Sequence, residues 1–164
     1  MRKMVLSAAA LAMLTLAACS GDKACGGDCK KGDSKDMIYT GLLPAADVDG
    51  IRYTLKLDYD DDNGGKSGDY DLVEVYITGD SLSATGYKDA ARFKSEGDFT
   101  VINGEGANSA NKYIKLVEDT KGAAASNTPP TYFLIESDTT LVMVNSDLER
   151  SQMPGLNYTL KLVK

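Results

Sequence analysis

From Met37 onward the apolar residues alternate with polar ones, and no stretch carries the three-to-four spacing of an amphipathic helix. A period of two confines the chain to strands with one wall buried and the other wet. The pattern is clearest in Ile51–Tyr59. Ile51, Tyr53, Leu55, Leu57 and Tyr59 fall on one face; Arg52, Thr54, Lys56 and Asp58 fall on the other. Leu156–Val163 behaves alike, and the two segments share a word: Gly50-x-x-Tyr-Thr-Leu-Lys-Leu57 recurs as Gly155-x-x-Tyr-Thr-Leu-Lys-Leu162. One echo is not a repeat architecture, which takes several copies at a fixed period. It marks two strands in similar environments.

Further strands are predicted near 37–43, 70–78, 91–101, 112–118, 131–136 and 140–145. Asp60–Gly65, Gly79-Asp80, Asn103-Gly104, Gly122–Pro130 and the tight hairpin Ser137-Asp138 separate them. The least regular stretch is 79–92, where Lys88–Arg92 reads as one helical turn. Eight short strands define an all-β domain, a small antiparallel barrel or sandwich. The barrel is preferred because closure removes exposed strand edges. A barrel of that size is filled by its own side chains or holds one small ligand.

The first 18 residues are an address rather than structure. Arg2 and Lys3 precede an apolar run from Met4 to Ala18, too short to span a bilayer as a helix. It ends in Leu16-Ala-Ala-Cys19, a bacterial lipobox, so residues 1–18 read as a lipoprotein signal peptide and Cys19 as the lipidated residue. Two or more acyl chains anchor stably where one is marginal. Removing Arg2 and Lys3 takes the side-chain charge from −6 to −8. Ser20 stands after the Cys in place of an inner-membrane retention Asp, which favours the outer membrane. Residues 19–36 then form the lipid anchor and a Gly-, Asp- and Lys-rich tether without large apolar side chains. Its expected reach is about 20–25 Å. The folding unit is 37–164, long enough for one small core.

Within the tether lies Cys25-Gly-Gly-Asp-Cys29. A small-loop disulfide, a two-thiolate Cu(I) site and no role at all are the readings it allows. Zinc would need further ligands.

The chain has no His and no Trp. The usual general base, the Ser-His and Cys-His nucleophile pairs and the commonest neutral metal ligand are therefore missing. Many carboxylates remain, but nothing marks two of them as a facing pair, so the chain does not read as an enzyme. An acidic balance of 24 to 18 argues against nucleic-acid binding. Asp58, Asp60, Asp62 and Asp69 imitate the spacing of a calcium loop. The Gly falls one place late, however, and the flanks are strands rather than helices. A solvated acidic hairpin tip is the better reading.

Tyr39-x-Gly41-x-Leu43-Pro44-Ala45-Ala46-Asp47-Val48-x-Gly50-Ile51 resembles the opening of the NlpE N-terminal domain family, Y-x-G-x-L-P-C-A-D-C-x-G-I. Gly97-x-Phe99 is similar to a family Gly-x-Trp strand, Tyr132–Leu141 to its hairpin, and Asn157–Lys161 to its closing strand. The likeness runs over roughly 38–163. It implies a lipocalin-like barrel and envelope lipoproteins tied to copper resistance and envelope stress. It also implies that a chain of this length carries the barrel alone. The family C-x-x-C falls on Ala45 and Val48, whose methyl and isopropyl groups neither ligate copper nor form a disulfide. The expectation is thus a non-enzymatic outer-membrane lipoprotein in envelope-stress sensing or envelope and copper homeostasis, anchored in the membrane through its lipid and contacting an envelope protein. The alternatives are Cu(I) handling by Cys25 and Cys29, and binding of a small lipophilic ligand in the barrel.

Overall fold

The structure, a computed structural model, describes residues 36–80, 83–119 and 128–164. The signal segment, Cys19, Cys25 and Cys29 lie outside the described residues. Eight strands, β1 (Met37–Leu43), β2 (Gly50–Tyr59), β3 (Ser67–Gly79), β4 (Tyr87–Asn103), β5 (Lys112–Glu118), β6 (Thr131–Ser137), β7 (Thr140–Val144) and β8 (Thr159–Leu162), form one closed antiparallel barrel in sequence order. The expected fold class is the observed one. The start of β1 and the end of β8 lie at one end of the barrel, the terminal end, with the β2–β3, β4–β5 and β6–β7 connections. The other four connections form the opposite, loop end.

Alternation sets the core. Leu55, Leu57, Ile114, Phe133, Leu141 and Leu160 point inward and are fully buried, so the waist of the barrel is filled by side chains. The two echoed words flank the same strand: Tyr39 of β1 faces Leu55 on β2 and Leu162 on β8. Gly41 sits where these strands close. A Cβ there would collide with the Thr159 carbonyl oxygen and meet Leu160 Cδ2 at 2.7 Å.

β3 begins at Ser67 rather than near 70, and β4 and β8 also depart from the sequence expectation. Lys88–Arg92 is strand, not a helical turn: β3 is paired by β4 along its whole length, and a bulge opposite Tyr76/Ile77 absorbs Ala90. Cross-strand pairing overrides the weak local preference of those residues. β8 is only Thr159–Leu162, because residues 145–158 are used elsewhere.

That segment folds over the outer wall of β5–β7. Tyr113, Leu134, Val142 and Val144 face outward, yet are buried with Leu148 and Tyr158 packed on them. Leu148 takes a left-handed φ of 62°, a conformation costing a side chain about 1–2 kcal/mol. Asn145 holds it there: its Oδ1 accepts the Asp147 and Glu149 amides at 3.0 and 2.8 Å. Burial of the leucine on this apolar wall offsets the strain.

Because the waist leaves little room to relax, Leu55→Ala is expected to cost about 2–5 kcal/mol of stability. Chemical denaturation of the two proteins measures it, and a loss well below 1 kcal/mol would contradict a close-packed waist.

Candidate functional site

The family-like motif occupies β1 and its turn into β2 at the loop end. Tyr39 and Leu43 point into the core, and Gly50 is buried against Leu42. Between them, Pro44–Asp49 is a short turn in which Ala45 and Val48 are half-buried and carry no ligating atom. Asp49 pins the turn: its Oδ2 accepts the Gly79 amide at 2.5 Å, and its own amide donates to the Ile77 carbonyl at 3.1 Å. The conformation is thus held by backbone pairing and one carboxylate.

Beside this turn the barrel interior becomes polar. Tyr53 and Glu74 are cross-strand partners on the inner wall. Burial first, then the neighbouring Glu74 carboxylate, push the Tyr53 hydroxyl far above the ordinary tyrosine value. It therefore stays a neutral donor at any physiological pH. Tyr70 is also raised, by burial first, while its hydrogen bond with Ser95 pulls the other way. These groups line a cleft of about 200 Å³, with Leu116 and Glu118 opposite.

The acidic segment behaves as a hairpin tip. Asp60 accepts from Ser67 Oγ at 3.1 Å and Asn63 Nδ2 at 3.2 Å, Asp62 lies exposed on a 3-10 turn, and Gly64 and Gly65 at φ 70° and 73° return the chain into β3. The fold does not converge Asp58, Asp60, Asp62 and Asp69 on one point. It lines up Asp58, Asp69 and Asp98 as direct neighbours across β2, β3 and β4. Sequence spacing missed this row, since it depends on register. Among the described residues, no three His, Cys, Asp or Glu are gathered as a metal site. Burial, Asp98, Asp60, Asp58 and Asp119 together hold the Asp69 carboxyl above its usual value.

An eight-stranded up-and-down barrel with a filled waist belongs to the lipocalin-like class of small barrels. Residues 39–153 match the NlpE N-terminal domain, and the chain belongs to that envelope-related family. The match ends before β8, so the closing strand falls outside it. The comparisons with curated proteins and with solved structures return no match.

A carboxyl whose pKa is raised on folding favours the fold while protonated, and that contribution is lost as pH rises through the folded value. Asp69→Asn is therefore expected to raise the melting temperature at pH 7, with the gain shrinking in high salt and vanishing below about pH 4. A gain that persists at low pH would show that repulsion in the Asp row is not its source.

Proposed function

We propose that this chain is a non-catalytic outer-membrane lipoprotein. Cys19 carries the lipid, residues 20–36 act as a tether, and the barrel presents its loop end to other envelope components in stress sensing or in envelope and copper homeostasis. One asymmetry carries the reading. Among the described residues the exposed large hydrophobics are Leu42, Tyr87, Phe93, Val117, Met153, Leu156 and Val163. Leu42, Tyr87, Phe93 and Val117 lie in the loop-end halves of their strands, opposite the end at which β1 begins, while Met153 and Leu156 lie in the 145–158 connection, which also reaches the β4–β5 connection. Exposed apolar groups gathered on one side of a small domain suit contact with a partner. At the tether entry, Asp36 pairs with Lys56 at 3.4 Å, and its buried Oδ1 makes no hydrogen bond, so charge pairing alone compensates it.

Metabolic labelling with palmitate tests the anchor. Cys19→Ala is expected to abolish incorporation and to move the protein from the membrane to the soluble envelope fraction. Label retained in that variant would refute anchoring at Cys19. Copper is tested by Cu(I) titration of the full chain with ascorbate as the sole reductant. The stoichiometry is expected to be the same with and without Cys25→Ser/Cys29→Ser; loss of one equivalent would favour metal handling by the tether over the scaffold reading.

A further inference from the structure

β4 outruns the strand beside it. β3 pairs with β4 from Thr100 back to Tyr87, whereas β5 pairs only with Gly97–Asn103. Among the described residues Tyr87–Phe93 therefore has a neighbouring strand on one side only, at the loop end.

The bonds around this stretch show which backbone groups face its open side. The Glu96 carbonyl accepts the Asp119 amide at 2.9 Å, on the side where β5 lies. Alternate residues of a strand turn both backbone groups the same way, so Arg92, an even number of residues back, turns its N–H and C=O to that side too. Ala90 is the extra residue of the bulge and resets the alternation. Beyond it the Asp80 amide bonds the Gly86 carbonyl at 2.8 Å, so Lys88 turns towards β3 and Asp89 towards the open side. The edge ends at Tyr87, whose carbonyl accepts from the Thr85 hydroxyl at 3.2 Å. Asp89 and Arg92 thus each offer a donor and an acceptor to an incoming strand.

The side chains of the edge sort by face. Arg52, Val75 and Arg92 stand in one row across β2, β3 and β4 on the outer wall, and Arg52 pairs with Asp89 at 3.8 Å. Arg92 and Lys88 are exposed and form no ion pair among the described residues. On the inner face Phe93 is 55% exposed, edge-on to the Tyr76 ring at 5.3 Å between centroids. The edge therefore shows a cation on one face and an aromatic ring on the other. Its two uncompensated cations make it repel a second copy of itself and favour a carboxylate.

We propose that Lys88–Phe93 takes up an extended segment of a partner protein as an added antiparallel strand, with an acidic residue opposite Arg92 and an apolar residue opposite Phe93. In this register the acidic residue exchanges both backbone bonds with Arg92, and the apolar one sits at the closer spacing opposite Phe93. Main-chain bonds supply the binding, and the alternating side chains select the segment. The inference rests on the reading that the loop end meets envelope components, and it gives that contact its form.

The test is an NMR titration of the isotope-labelled full chain with the capped heptapeptide Ser-Thr-Val-Glu-Val-Thr-Ser. Shifts are expected over Asp89–Phe93, and amide exchange at Asp89 and Arg92 is expected to slow about tenfold with peptide in excess. Replacing the peptide's Glu by Lys is expected to weaken binding about fivefold, and Arg92→Glu to reverse that preference. N-methylation of the peptide's Glu blocks its bond to the Arg92 carbonyl and is expected to weaken binding about tenfold. N-methylation of the preceding Val, whose amide turns away from β4, is expected to leave binding within about twofold. Equal binding of the two N-methylated peptides would overturn strand addition, as would unchanged exchange at Arg92 or no binding at all. Protection of Asp89 and Arg92 that grows with protein concentration in the absence of peptide would make a second copy the occupant and refute the acidic partner. Shifts confined to Leu42 and Val117 would overturn strand addition alone and keep the loop end as a contact surface. Shifts confined to the terminal end would overturn both.

Discussion

Everything in this domain depends on the seam between the first strand and the last. Seven residues of β1 pair with β2, but β8 offers β1 only the register pairs Tyr39–Leu162 and Thr40–Lys161. The seam is lengthened by two backbone bonds beyond the strand, Ile38 N–H to the Lys164 carbonyl at 2.8 Å and Val163 N–H to the Ile38 carbonyl at 2.7 Å. Gly41 lets the strands approach, and Lys161 Nζ donates to the buried Thr140 hydroxyl at 2.9 Å on the other side of β8. Without these contacts β1 and β8 would both present open edges, which in water invite pairing with other chains. The echoed Tyr-Thr-Leu-Lys-Leu words are the sequence form of this closure: each supplies one neighbour to β1.

The strands were legible because a half-buried strand writes its burial into the sequence. β1, β5 and β6 begin where alternation predicts, and Ile51–Tyr59 buries the face expected of it. Legibility failed where neighbours rather than side chains decide. Lys88–Arg92 has no alternation of its own and is strand because β3 pairs with it. The acidic row of Asp58, Asp69 and Asp98 exists only once register is known. One missed feature did leave a trace. Tyr132–Ile135 and Leu141–Val144 are apolar on both walls, which is the mark of strands covered on both sides. The cover is the 145–158 segment, and nothing in its own spacing points to that role.

The turn from β1 to β2 shows which residues of the motif the scaffold itself uses. The residues that match the motif are those with a mechanical part to play, Tyr39 and Leu43 in the core and Gly41 and Gly50 where strands crowd. The two positions that differ, Ala45 and Val48, are half-buried and bear no part of the turn's hydrogen bonding, which runs through Asp49. Changes of side chain at these two positions therefore leave the turn's backbone pairing in place.

The arrangement of the chain ends has a mechanical side. The chain enters β1 at the same end from which β8 leaves, and these two strands are neighbours. A pull on Asp36 resisted at the far connections therefore loads β1 lengthwise. Its rungs to β2 and β8 lie across that direction and share the tension in parallel, so the strand must slide as a unit before any rung is released. A partner held at the loop end could tug on the domain without peeling it open.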